Sequence, residues 1–144
     1  MKDFLAHLPS IREKCGDRAC LRAFHFLNEN DRVVEQKSAL DDNDIKSFLR
    51  LTIESGQSSF MYLQNVYLPS DVEFQPLSIA LAMSQQVLTQ EGAYRVHGGG
   101  LAGTIQAFVR REQLDDYIKF MEQIFGVGST YTLAIRFTGS LQVF

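Results

Sequence analysis

The chain has 144 residues, of which 45% are hydrophobic, so we expect a substantial buried core and little disorder. Its 14 lysines and arginines against 17 aspartates and glutamates give a net charge of -3, without a basic stripe, which argues against nucleic acid as a partner. No apolar run approaches the roughly 20 residues that span a bilayer, and the start of the chain is too weakly apolar for a signal peptide. The sequence therefore predicts a cytoplasmic protein without a membrane partner.

Two pairs of residues could in principle form a redox or a metal site. Cys15 and Cys20 have four residues between them, which matches neither a redox pair nor half of a zinc site, so we expect free thiols. His25 and Glu29 lie one turn apart on a predicted helix and could hold a metal, but no third ligand accompanies them and such pairs are common on helices. We therefore expect no metal site in this chain.

Apolar periodicity predicts a long amphipathic helix over 18–40. Residues 41–43 offer several N-caps for a second helix, which begins near Ile45 and whose apolar pattern reaches Leu63. Helix propensity is weak over 55–59. Either the second helix breaks there, or its small residues let another backbone come close.

The second half of the chain alternates between helix and strand patterns. A third helix is predicted to begin around Pro76 and to end before Gly92, and short β-like runs flank the glycines that follow it. The second of these runs covers 104–109. The clearest helix pattern lies over 114–125, after which two glycines precede a strand pattern over 131–137.

This order of elements predicts an α+β fold. A strand-helix-strand unit favours a right-handed crossover, while the short glycine loop joins antiparallel neighbours. We expect one domain over 1–144, a ferredoxin-like sandwich with helices packed on one face of a mainly antiparallel sheet.

The segment from Arg95 to Val109 contains the chain's most distinctive motif. Gly98, Gly100 and Gly103 match the dinucleotide pattern G-x-G-x-x-G, but that fingerprint needs a helix directly after the glycines, and a strand pattern follows here. A P-loop needs a closing Gly-Lys-Ser/Thr, which is absent, and the other protein-kinase motifs are absent too. A tight turn remains open as a purely structural interpretation, although two glycines suffice for the tightest hairpins.

The glycine segment, with Gly92-Ala93 ahead of it, resembles the C-terminal glycine motif of the galactokinase branch of the GHMP (galactokinase, homoserine, mevalonate, phosphomevalonate) kinases. Two further segments are similar to that family in the same order: 22–33 resembles the helix that opens its C-terminal domain, and 48–55 with Ser58-Ser59 resembles its next helix. The resemblance runs from about residue 18 to the end.

The chain departs from the family pattern at two places. It has Leu-Ala-Gly-Thr over 101–104 where the family usually has Phe followed by two glycines and often Cys, and it has Gly56 where the family usually has His. These departures indicate a divergent galactokinase-like subgroup.

The resemblance implies a GHMP-type C-terminal domain of an ATP- and Mg²⁺-dependent sugar kinase. Its partner would be an N-terminal domain that carries the catalytic residues, the sugar-binding segment and the phosphate loop, motifs that this chain lacks. No catalytic residue is expected here, and the chain alone is expected to be inactive. The residues expected to line the cleft and to support the ATP phosphates indirectly are Gly98, Gly99, Gly100, Leu101 and Gly103.

Three alternatives remain at this point. His97 and Arg95 lie beside the loop and could touch substrate, although for His97 a hydrogen-bonded place at a strand end is favoured. The chain could be a free-standing plait-type module that binds a small molecule or regulates another protein. It could also be a subunit that pairs with a separately encoded N-terminal half.

Overall fold

The computed structural model describes residues 1–88, 91–101 and 103–134. This part of the chain contains five α-helices and one two-stranded antiparallel sheet, so the fold is mixed α+β. The described residues fall into two compact units, one over Met1–Arg111 and one that begins at Glu112. Among the residues described, none of the helices is both long and apolar enough to cross a membrane.

The first unit begins with helices that follow one another closely. They are α1 (Lys2–Cys15), α2 (Asp17–Asp41), α3 (Ile45–Ser58) and a short π-helix (Ser59–Leu63) that continues α3. α1 was not predicted from the sequence, and Pro9 stands inside this helix. The ring of Phe4 meets the ring of Phe24 edge-on at 4.9 Å between centroids, which joins α1 to α2.

The predicted N-cap of α3 is wrong by one residue. The side chain of Asp44, not one of residues 41–43, accepts a hydrogen bond from the backbone N–H of Ser47 at 3.0 Å. The reason is that α2 extends to Asp41, and Asn43 then takes a left-handed φ of 57° to turn the chain. Only Asp44 stands at the helix entrance.

The second half of this unit is a helix followed by a hairpin. α4 spans Pro76–Leu88 and begins at its proline as predicted. The predicted strand, glycine loop and strand are confirmed as β1 (Ala93–Val96) and β2 (Ile105–Phe108), which pair antiparallel. The register places Ala93 opposite Phe108 and Val96 opposite Ile105.

Side chains alternate between the faces of this hairpin, so cross-strand partners share a face. The buried Val96 packs with Leu77 of α4 and with Val66, and Ile105 joins this cluster. Phe108 lies on the other face, where its ring meets that of Phe48 of α3 edge-on at 5.3 Å. In the described residues α3 and α4 thus contact different faces, whereas the sequence predicted helices on one face, and the ferredoxin-like arrangement of a complete sheet stays a prediction.

The approach of α3 to β1 depends on Gly56. A Cβ built there would lie 2.9 Å from Cβ of Arg95 and 3.1 Å from the carbonyl oxygen of Tyr94. Of the two interpretations of segment 55–59, close approach of another backbone is therefore confirmed, and α3 runs through Gly56 without a break.

The second unit contains α5 (Leu114–Phe125), which the sequence predicted with the same bounds. Gly126 ends the helix with a φ of 96°, and its N–H donates to the carbonyl of Glu122 at 2.9 Å. The strand predicted over 131–137 is not present at 131–134, which has no regular structure. Residues 135–137 lie outside the described part of the chain.

Candidate functional site

The glycine loop, defined here as residues 97–104, connects β1 to β2. Three backbone hydrogen bonds among the described residues give it a definite shape. His97 N–H donates to the carbonyl of Thr104 at 3.0 Å, Gly103 N–H donates to that of Gly100 at 3.0 Å, and Gly100 N–H donates to that of His97 at 3.4 Å. Gly98, Gly100 and Gly103 all have positive φ, of 59°, 87° and 88°. Residues with a Cβ rarely take this conformation, so the glycines here permit the path of the chain.

Position 100 also has no room for a side chain. It is buried, and a Cβ at this position would lie 2.2 Å from the carbonyl oxygen of Asn65 and 2.7 Å from its Nδ2. The Asn65 side chain also donates from Nδ2 to the carbonyl of Gly99 at 3.1 Å. The loop is therefore held from inside by a residue that precedes it by more than 30 positions in the sequence.

The remaining predicted site residues face outward. Gly98, Gly99 and Gly103 are exposed, and a Cβ at any of them would meet no atom within 4 Å. Leu101 is 58% exposed. Over 98–99 and at Gly103 the loop thus presents bare backbone, together with the side chain of Leu101, a surface that another backbone could approach closely. Ala102 lies outside the described residues.

His97 and Arg95, the polar residues beside the loop, have different surroundings. His97 follows β1 with its side chain exposed, and its backbone N–H makes the bond to Thr104. Arg95 turns toward α2 and α3, where its Nη1 donates to Ser55 Oγ at 2.6 Å. The structure therefore uses Arg95 to attach β1 to the helices.

Arg95 belongs to a polar cluster that joins α2, α3 and β1, defined here as His25, Glu29, Arg32, Ser55, Ser58 and Arg95. Glu29 is its centre: the Ser55 hydroxyl and the Arg32 guanidinium donate to its two carboxylate oxygens. Arg95 Nη1 lies 3.5 Å from Glu29 Oε1. Each charged group of the cluster has an oppositely charged neighbour or a hydrogen-bond partner, as partly buried charges require.

The electrostatics of the cluster favour an ionised Glu29. Burial alone would raise the pKa of its carboxyl, but the hydrogen bond from Ser55 and the charges of Arg32 and Arg95 lower the pKa below its usual value. Because only 19% of this side chain is exposed, solvent screens these contacts weakly. Glu29 therefore stays a carboxylate at neutral pH.

His25 occupies the inner end of the cluster. It is 9% exposed, and its Nδ1 lies 3.0 Å from Ser58 Oγ, at the junction between α3 and the π-helix. Burial lowers the pKa of His25, and the charges of Arg32 and Arg95 act in the same direction, although Glu29 opposes them. The ring is thus held neutral in the folded protein at neutral pH.

We expect folding stability to fall as the pH drops below about 6.5, the pKa of an unperturbed histidine. The pKa of His25 is lower in the folded state, so between the two values only the unfolded state binds the extra proton and acid favours unfolding. The slope is at most about 1.4 kcal/mol per pH unit. Guanidinium unfolding at closely spaced pH values from 7.5 to 5 measures it.

The variant His25→Gln is expected to remove this part of the pH dependence. His7 offers a matched control, because it is exposed on α1 and its Nδ1 contacts only the carbonyl oxygen of Asp3, at 2.8 Å. His7→Gln should keep the slope of the unchanged protein. An equal slope in all three proteins would show that His25 is not its source.

In the part of the chain that the structure describes, no group of three or more histidine, cysteine or acidic side chains could hold a metal. His25 and Glu29, the pair one turn apart, instead bond to Ser58 and to the hydroxyl and guanidinium groups of the polar cluster. Their spacing on α2 serves the packing of that helix against α3.

Two residues that shape the site were not predicted from the sequence. Asn65 belongs to no motif of the sequence. Ser55 lies in a segment of weak helix propensity and in the resembling segment 48–55, but neither pattern predicts its contacts with Glu29 and Arg95. The available signal is indirect: a small polar residue inside an apolar helix pattern, such as Ser55, is tolerated when a partner satisfies it. For Asn65 no local pattern indicates the contact with the loop.

Comparison with known proteins gives partial matches. No protein-family model matches the chain, and no solved structure matches it. The chain is 27% identical over 103 residues to a galactokinase of Haemophilus influenzae, a match that covers 72% of this chain and 25% of that protein. It is 29% identical over 103 residues to a galactokinase of Mannheimia succiniciproducens, with the same coverage. The chain thus spans about a quarter of the length of the curated relatives it matches.

Proposed function

We propose that this chain is the C-terminal domain of an ATP-dependent, galactokinase-like sugar kinase, in which the γ-phosphoryl group of ATP moves to a sugar hydroxyl. Its part in the reaction is to form one wall of the cleft with the glycine loop. Phosphoryl transfer depends mostly on positioning and on electrostatic stabilisation of the moving group. A rigid loop of bare backbone contributes to the positioning.

The observation that carries this proposal is the glycine loop between antiparallel strands, within a chain similar to galactokinases over 103 residues. Gly98 and Gly99 are exposed, and a Cβ at either residue would meet no atom within 4 Å. Packing inside this chain therefore does not explain why Gly99, whose φ is not left-handed, is a glycine. Close approach of a second backbone from outside explains it.

The residues of the loop do not fit a direct role in holding ATP or Mg²⁺. The segment 97–104 carries no acidic side chain for the metal and no lysine for the phosphates. We propose that both are bound by the N-terminal domain, in the same chain or in a separate one, and that the glycine loop supports the phosphates indirectly.

A second candidate function is a free-standing plait-type module that binds a small molecule or regulates another protein. The polar cluster favours it only in that the charged groups of this cluster find their partners within this chain. This alternative predicts that the chain alone binds a small molecule. A panel of sugars and nucleotides, screened by the shift they cause in the thermal unfolding midpoint, tests that expectation.

The proposed function is tested by ATP turnover with a panel of sugars. We expect none from this chain alone. We expect turnover when the chain is fused to the part of the Haemophilus influenzae galactokinase that lies outside the matched quarter. The same fusion carrying Gly100→Ala, which displaces the loop, should lose most of that turnover.

Two results would contradict the proposal. Turnover by the chain alone would show that it does not depend on a second domain. A folded fusion that turns over ATP equally well with and without the change at Gly100 would show that the loop takes no part in the cleft.

A further inference from the structure

Asn65 is the residue on which the conformation of the glycine loop depends most directly. It contacts the loop in two ways, through the hydrogen bond from Nδ2 to the carbonyl of Gly99 at 3.1 Å and through the close packing of its carbonyl oxygen and carboxamide against Gly100. Both contacts are made by one residue that is 9% exposed. The two glycines that it touches lie at the middle of the loop.

Asn65 is itself firmly placed. It follows Gln64, which ends the π-helix in a left-handed conformation with a φ of 52°, and it precedes Val66, which is 1% exposed. Val66 packs with Val96 of β1, the last strand residue before the loop. The contact with Gly99 and Gly100 is thus made from a segment that is anchored to the same strand from which the loop departs.

The side chain of Asn65 has a hydrogen-bond partner at one end only among the described residues. Its Oδ1 is buried and, among the described residues, has no hydrogen-bond partner. A buried polar atom without a partner lowers stability, and an apolar side chain of the same shape avoids this loss. What asparagine provides at this position is the hydrogen-bond donor Nδ2. Nδ2, and not Oδ1, faces Gly99, because a reversed carboxamide would place Oδ1 against the carbonyl oxygen of Gly99.

We infer that Asn65 is a positioning residue for the glycine loop, and that its carboxamide is kept for the order it gives to Gly99 and Gly100 at the expense of stability. The role assigned to the loop in the cleft rests on the proposed function. The dependence of loop order on Asn65 does not, and it is measured in this chain alone.

The test compares the full chain with Asn65→Leu, which keeps the size of the side chain and removes both its donor and its unpaired oxygen. Order parameters from ¹⁵N relaxation report on the backbone of Gly98, Gly99, Gly100 and Gly103. We expect values for these residues close to those of the strands in the unchanged chain. In Asn65→Leu we expect them to fall below about 0.6, the range of flexible backbone, while the guanidinium unfolding midpoint is unchanged or higher.

Thr52→Val is the matched control. Thr52 is also buried and hydrogen-bonded, but its partners belong to α2 and α3 and not to the loop: they are Gln36 Nε2 at 3.2 Å and the carbonyl of Phe48 at 2.9 Å. This variant should leave the order parameters of the loop unchanged. A role of Asn65 in stability alone would move the midpoint and not the loop.

An ordered loop in folded Asn65→Leu would overturn the inference. If that variant does not fold, Asn65→Ala removes the same donor without adding branched atoms, and an ordered loop in it would overturn the inference equally. The kinase assay is independent of this outcome: absence of turnover in the fusion would contradict the proposed function and leave the measured order of the loop unaffected.

Discussion

Replacing Gly100 with alanine is expected to lower the free energy of unfolding by about 3 kcal/mol, as overpacking and backbone strain add. The new Cβ would lie 2.2 Å from a backbone oxygen of Asn65, which cannot move without displacing the buried Val66 next to it. The φ of 87° adds a penalty that alanine cannot avoid. Guanidinium unfolding at pH 7.5 measures the change.

Gly99 supplies the control for this prediction. It is adjacent in the chain and exposed, its φ is not left-handed, and a Cβ there would meet no atom within 4 Å. Gly99→Ala should therefore stay within about 0.5 kcal/mol of the unchanged chain. Equal effects of the two substitutions would contradict the packing of Gly100 against Asn65.

Replacing Gly56 with alanine is expected to cost about 2 kcal/mol, the usual size of an overpacked contact. On an exposed helix surface the same change would stabilise by about 1 kcal/mol, because alanine is the better helix former. Here the Cβ would meet Cβ of Arg95 at 2.9 Å and the carbonyl oxygen of Tyr94 at 3.1 Å, so α3 and β1 must separate. A loss of stability in Gly56→Ala would indicate overpacking against β1, and a gain would indicate the helix propensity of alanine.

Gln57→Ala is the comparison at the next position of α3, where the side chain is exposed. It should change stability by less than about 0.5 kcal/mol. Thermal unfolding of both variants beside the unchanged chain measures the difference. A more stable Gly56→Ala would mean that α3 does not approach β1 as closely as described.

Much of the fold follows from local patterns. α2 was predicted within one residue at each end, α4 at its first residue and α5 at both ends, because their apolar residues recur at helical spacing and proline or glycine marks an end of α4 and α5. The hairpin was predicted from alternation on both sides of the glycines. α1 was not predicted, although Phe4, Leu8 and Ile11 recur at helical spacing and are its partly buried residues, because a proline inside a helix pattern is usually a sign that the helix ends.

The site was predictable only in part, for a physical reason. The glycines of the loop are contiguous, so their motif is visible in the sequence. The contacts of Asn65 with the loop, and of Glu29 with Arg95, join residues separated by 34 and 66 positions. No periodicity connects such residues, because the tertiary fold alone brings them together.

Gly56 illustrates the difference between a resemblance and a structure. The resemblance noted in the sequence implies histidine at this point in the galactokinase branch, so that glycine here indicates divergence and nothing more. The structure gives it a physical reason, since the backbone of Arg95 occupies the space beside the helix. The polar cluster holds the Arg95 side chain on the side of β1 that faces α2 and α3.

The polar cluster also bears on how this sequence can change over generations. Glu29, Ser55 and Arg95 come from three different elements, and each satisfies the others. Loss of any one removes one of the partners of the two partly buried groups that remain, which lowers stability. We expect descendants of this sequence to keep the three residues together or to exchange them together, so that co-variation among them marks the lineages that retain this junction of helix and hairpin.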